Sequence, residues 1–298
     1  MLAKARILAM FGLRLALFFR RFFRLIQTMV SRLTFLILSV ALLSGCYEVP
    51  VTGRHSVSLV DKKGVAKMSI AAFEEMKTHY PVSRDRQLNE QLRRVGERLA
   101  KVVFWDMPDA EWEFVVFDVP QQINAFAMAG GKVGVFTGLY KITENDDQLA
   151  SVLAHEISHV TAEHVSERLS QQMAVSAVGV VGAIGMLGVG ADPLLGSVVL
   201  DAYGLGTTGV GAAFDRKKEK EADFIGLHYM ARAGYDPQEA VKVLEKLENF
   251  LAGAPVPPAF LATHPSNPER ILQLMDEMPK ALKEYEDSGH KVAPILIK

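Results

Sequence analysis

Cysteine is almost missing from this chain of 298 residues: Cys46 is the only one, so no disulfide can form within the molecule. Acid is missing from residues 1–45, which hold Lys4, Arg6, Arg14, Arg20, Arg21, Arg24 and Arg32. A basic surplus is missing from everything after them. Taking those seven from the 33 basic residues leaves 26 against 34 acidic ones, a balance of −8. A nucleic-acid binder needs a basic face to displace counterions, so that class is excluded. Long apolar runs are scarce too. Leu33–Leu43 is too short to span a bilayer, and the uncharged Met173–Gly190 sits at the lower limit. With Gly179, Gly182, Gly185 and Gly188 at regular spacing, we read the latter as a small-residue helix and loop near the site, a candidate lid, rather than a membrane span. No longer repeat and no linker rich in proline or serine marks a second domain.

The lone cysteine ends Leu43-Ser44-Gly45-Cys46, behind Arg32 and the apolar Leu33–Leu43. Together they form a secretory signal over residues 1–45. The ending resembles a bacterial lipobox, in which cleavage leaves Cys46 to carry the lipid. Met29 would open a signal of normal length, so residues 1–28 are read as an over-extended start. Tyr47 follows the cysteine where an aspartate would resemble an inner-membrane retention signal, and outer-membrane sorting is expected. Residues 46–60 are expected to be an extended lipid-anchored arm, and 61–298 a single domain.

Apolar periodicity predicts helices at 64–79 and 84–103 and a strand at Glu113–Phe117. Ile123–Met128, Gly130-Gly131 and Lys132–Thr137 predict a hairpin. A helix is expected over 143–170, opened by Thr143 with Asp146 three residues on. Others are expected at 215–233, from Asp236-Pro237 to about Leu251, and from Asn267-Pro268 to about Tyr285, with a proline-rich loop over Ala254–His264. The sum is a mainly helical α+β domain.

Chemistry concentrates in His155-Glu156-Ile157-Ser158-His159, an H-E-x-x-H pentad. Positions four apart share a helical face, so His155 and His159 can grip one Zn²⁺ while Glu156 serves as general base to a water. Leu149, Leu153, Ile157 and Val160 form the apolar stripe that anchors this helix. The third ligand is sought in Asp215–Met230. There Glu219, Ala222, Asp223, Gly226 and Met230 form one face, and two acids in a small apolar stripe call for a cation. Glu219 suits the metal and Asp223 suits a ligand imidazole N–H. Glu221 is the rival, about 200° around the helix from Glu219. Lys218, Glu221, His228 and Arg232 read as a solvated face. The metzincin pattern would need glycine at 162 and histidine at 165; Ala162 and Val165 reject it, and His164 is expected to be an ordinary, partly buried residue on the rear of the helix.

Five stretches now carry a resemblance: Pro50-Val51-Thr52-Gly53-Arg54, Asn124-Ala125-Phe126-Ala127, the pentad, Glu219-Lys220-Glu221-Ala222-Asp223, and His264-Pro265 with Arg270-Ile271. In this order they resemble the zinc endopeptidases that include HtpX, the CaaX prenyl protease and the mitochondrial Oma protease, and within them the BepA/LoiP-like periplasmic lipoproteins. The resemblance implies a zincin-like (gluzincin) fold with one zinc ion on His155, His159 and Glu219. Glu156 would be the base and Asp223 the partner behind the ligands. It implies an edge strand at Asn124, Ala125 and Phe126 that pairs with extended substrate. It places His264 near the metal, either on the fourth site in a resting form or stabilising the tetrahedral intermediate. Arg270 is a candidate buttress of the same site, but a surface ion pair is the expectation. The implied activity is endopeptidase action on misassembled envelope proteins. The alternative is a chaperone or assembly factor with a capped metal site.

Overall fold

The computed structural model describes residues 24, 26–29, 31–32, 46–58, 60–175, 193–205, 214–253, 259–265 and 268–289. The chain divides into Met1–Cys46 and Tyr47–Lys298, and the second unit carries the architecture. Most of the signal read at 1–45, and the glycine-spaced segment from 176 to 190, lie outside the described residues. Among the described residues no helix is long and apolar enough to cross a membrane.

The arm forms short strands β1 (Cys46–Glu48) and β2 (His55–Val57), joined through a turn in which Val49 and Arg54 pair by backbone. Helices α1 (Lys62–His79) and α2 (Arg86–Val102) follow, each opened by an aspartate, Asp61 and Asp85, that accepts orphan N–H groups of the first turn. Strands β3 (Glu113–Phe117), β4 (Ala125–Met128) and β5 (Lys132–Phe136) then form a sheet of order β3-β5-β4. The expected hairpin is present as the antiparallel β4–β5 pair, turned by Gly130 and Gly131 at φ 84° and 82°. Hairpin signals do not reveal that β3 skips its chain neighbour to pair in parallel with β5, placing Glu113 opposite Lys132 and Phe117 opposite Phe136.

Parallel pairing calls for cover on both faces, and the side chains supply it by strict alternation. Val116, Ala125, Ala127, Val133 and Val135 enter one core with α2 and the pentad helix; Val115, Phe117, Phe126, Met128 and Phe136 enter a second beneath α1. Each buried phenylalanine contributes about 1.5–3 kcal/mol. The helical remainder is α3 (Asp146–Thr161), α4 (His164–Val175), α5 (Pro193–Ala202), α6 (Arg216–Arg232), α7 (Gln238–Gly253), α8 (Ala259–Thr263) and α9 (Pro268–Asp287). The mainly helical α+β expectation is met.

Three local readings are corrected. The pentad helix starts at Asp146 with Asn145 as its cap, accepting from Gln148 N, while Thr143 donates to the Leu139 carbonyl instead. The helix expected over 143–170 is two helices, because Glu163 takes a left-handed φ of 57° and the axis restarts at His164. The loop expected to run to His264 holds the short helix α8, whose Phe260 N–H bonds the Ile123 carbonyl at the head of β4.

Candidate metal centre

Helix α3 is buried on nearly every side, so its polar residues lie where each must find a partner. His155 and His159, one turn apart, bring their Nε2 atoms within 3.1 Å. Helix α6 crosses α3 at Gly226, where an added Cβ would lie 3.0 Å from the His155 backbone nitrogen. That close approach delivers Glu219 and Asp223. Glu219 Oε1 lies 3.3 Å from His159 Nε2 and its Oε2 lies 3.5 Å from His155 Nε2. Asp223 Oδ1 stands 3.0 Å from His155 Nδ1, on the far side of that ring. From the end of α8, His264 places Nδ1 3.0 Å from Glu219 Oε1 and 3.3 Å from His155 Nε2. Its Nε2 lies 3.5 Å from Glu156 Oε1. Phe260 stacks on His264 and Phe214 stacks on His159, fixing both ring planes.

Does a cation fit? One ligand atom each from His155, His159, Glu219 and His264 falls within 4.8 Å of the others, and all four residues are buried. Tetrahedral bonds of about 2.0–2.1 Å would set ligand atoms about 3.3 Å apart, and the separations just given run from 3.0 to 3.5 Å. Charge points the same way. Three buried carboxylates, Glu156, Glu219 and Asp223, converge here with Arg270 paired to the last two, a donor chemistry that suits a cation. Among the described residues, Glu156 Oε1 also lacks a hydrogen-bond partner. The residues fit a metal.

Proton affinities follow from these neighbours. Burial pushes Glu156 above the usual carboxylate range, outweighing the pull of His264 and His155. Burial works the same way on Glu219, but His264, His155 and His159 hold it well below that range. Asp223, pushed up by burial, is nonetheless held below its ordinary value by Arg270 and His155. Burial depresses His155, yet Asp223 and Glu219 lift it to about 10; His159, with burial dominant, falls well below an ordinary imidazole.

The structure therefore brings together His155, Glu156, His159, Glu219, Asp223 and His264. Asn124, Ala125 and Phe126 head the sheet's edge strand but are only 4%, 2% and 2% exposed. Three expectations fail. Arg270 is no surface residue: it is 1% exposed and grips Asp223 with Nε at 2.6 Å and Nη2 at 2.8 Å, its Nη1 lying 2.9 Å from Glu219 Oε2. His164 is wholly buried against His159, not idle on the rear face, because the break at Glu163 redirects it. Glu221 turns away from the cluster, as the helical angle requires, yet neither it nor His228 is solvated. Glu221 bonds Thr52 and Arg54, and buried His228 sits 2.7 Å from Glu284. Phe214 escaped sequence reasoning, as a phenylalanine before a helix cap carries no signal for stacking on a ligand.

Two histidines a turn apart, a glutamate between them and a carboxylate from a second helix make up the site of an H-E-x-x-H metallopeptidase. Residues 86–278 match peptidase family M48, and the chain belongs to that family. It is 38% identical over 183 residues to the mitochondrial metalloendopeptidase OMA1 of Saccharomyces cerevisiae, covering 60% of this chain and 50% of that protein. The Schizosaccharomyces pombe protein of the same name is 32% identical over 256 residues, 83% of this chain and 72% of the relative. The beta-barrel assembly-enhancing protease of Escherichia coli K12 is 30% identical over 248 residues, again 83% of this chain but 50% of the relative. The chain thus spans half the length of two of these three proteins.

Proposed function

We propose that this chain is a zinc metalloendopeptidase that hydrolyses internal peptide bonds of proteins on the periplasmic side of a bacterial envelope, held there by a lipid on Cys46. The observation that carries the reading is the buried His155–His159–Glu219–His264 donor set, whose ligand atoms lie within 4.8 Å of one another. Zinc held there supplies Lewis acidity and brings a water's pKa toward neutrality. Glu156 takes the proton of the attacking water and returns it to the leaving amine; burial raises its proton affinity toward what both halves of that task need. Asp223, clamped by Arg270, orients His155 from behind.

His264 serves as the resting fourth donor, a role its Nδ1 position favours over stabilising the tetrahedral intermediate. Asn124, Ala125 and Phe126 receive extended substrate along the edge of β4, with backbone pairing giving sequence tolerance. Because they are buried, whatever covers them must withdraw first. The substrates proposed are misassembled or damaged envelope proteins, a reading supported by the name of the Escherichia coli relative. Outer-membrane sorting rests on Tyr47, and a single domain over 61–298 remains our assignment.

One observation favours a second reading. A donor set closed by His264 is also what a non-proteolytic chaperone or assembly factor with a capped metal would hold. Cleavage of casein by wild type and Glu156→Gln, with and without a chelator, separates the two. The peptidase reading expects loss in both tests; equal cleavage in all arms overturns it.

A further inference from the structure

His164 and Glu221 lie outside the donor cluster, but they reach it. His164 Nδ1 lies 2.9 Å from His159 Nδ1, and His164 Nε2 lies 2.9 Å from Glu221 Oε2. Glu221 accepts from Thr52 Oγ1 at 2.8 Å and from Arg54 Nε at 2.7 and 2.9 Å. Arg54 also pairs with Glu167 and donates to the Ala162 carbonyl at 3.1 Å, bracing the break between α3 and α4. His164 is 0% exposed and the Glu221 side chain 11%.

For a neutral His164, hydrogen-bond direction along this chain is set from its outer end. A carboxylate only accepts, so His164 must present Nε2–H to Glu221. Its Nδ1 is then the acceptor of a neutral imidazole, and His159 must donate from its own Nδ1. That leaves the lone pair of His159 on Nε2, the atom facing Glu219 and His155. The relay thus selects the tautomer a metal ligand requires. His155 receives the same service in one step: Asp223 faces its Nδ1, and Arg270 locks Asp223. Each pentad imidazole is backed by a carboxylate held by an arginine, directly for His155 and through His164 for His159.

We infer that His164, Glu221 and Arg54 form a positioning relay that sets the tautomer and basicity of His159, so that the amino-terminal arm, through Thr52 and Arg54, supports the metal. This rests on the metallopeptidase reading. It tells what the Pro50-Val51-Thr52-Gly53-Arg54 stretch does: residues far from the pentad in sequence complete its surroundings.

Zinc affinity by chelator competition, with imidazole ¹⁵N NMR of the zinc-loaded protein, tests the relay without relying on proteolysis. Glu221→Gln should raise the zinc Kd about 10-fold or more, and Arg54→Gln should raise it in the same direction. Glu269→Gln, which removes an equal charge from the exposed Lys220 pair, should leave Kd unchanged. The NMR spectrum should show protonated Nδ1 on His159 and protonated Nε2 on His164. A proton on His164 Nδ1, or unchanged zinc Kd in both relay variants beside a wild type that binds zinc, overturns the relay alone. A wild type that binds no zinc overturns the metallopeptidase reading and the relay with it. Should Glu221→Gln not fold, Arg54→Gln and the wild-type spectrum decide.

Discussion

Gly226 on α6 lies against the backbone of His155 on α3, so closely that a methyl group there would meet the His155 nitrogen at 3.0 Å and the Ala154 carbonyl carbon at 3.1 Å. Neither contact is the end of a movable side chain. Gly226→Ala must therefore push the two helices apart, at a cost of about 1–3 kcal/mol. Because Glu219 and Asp223 ride on the displaced helix, zinc affinity should fall along with stability. Denaturant unfolding of the metal-free variant and chelator competition measure the two effects.

Glu156→Gln keeps the shape of the side chain and removes its basicity. Full zinc stoichiometry with a loss of at least about 100-fold in kcat for peptide hydrolysis is expected. Loss of zinc as well would mean that Glu156 supports the site rather than the reaction.

His264→Ala removes the fourth donor while leaving His155, His159 and Glu219 in place. Zinc should be retained and the rate of peptide hydrolysis should change, upward if His264 caps the resting site. Metal content and initial rates on a fluorogenic peptide check this, and an unchanged rate disposes of the role assigned to His264.

Asp147 is a stability prediction. Burial lifts its carboxyl to about 6, although its Oδ1 accepts the Asp236 N–H at 2.9 Å. A folded-state pKa above the unfolded value means the folded form binds the proton more tightly. Stability from this group is therefore gained as pH falls from about 6 toward 4 and lost as pH rises through 6. Asp147→Asn keeps the accepting oxygen and should raise the thermal midpoint at pH 7.5, by an amount worth about 1–2 kcal/mol, with little change at pH 4.5. Calorimetry at the two pH values measures it.

How legible was this site beforehand? Spacing exposed His155, Glu156 and His159, since three residues on one turn need no tertiary information. The 3.6-residue period also favoured Glu219 with Asp223 over Glu221, because only the former pair shares a stripe with Ala222 and Gly226. His164 was misjudged because its direction depends on a left-handed glutamate at 163, a conformation no residue preference announces. Arg270 was misjudged because its burial follows from where α9 packs, a long-range fact. The same holds for the parallel β3–β5 pairing, which local patterns cannot distinguish from a simple meander. Helices were legible to within a few residues wherever an aspartate cap or a proline start marked them, as at Asp85, Asp215 and Pro268.

Anomalous scattering at the zinc edge from crystals of the full chain tests the central claim most directly. One peak is expected within bonding distance, about 2.0–2.2 Å, of His155 Nε2, His159 Nε2 and a Glu219 carboxylate oxygen. A peak elsewhere, or none from protein grown with zinc, would contradict it.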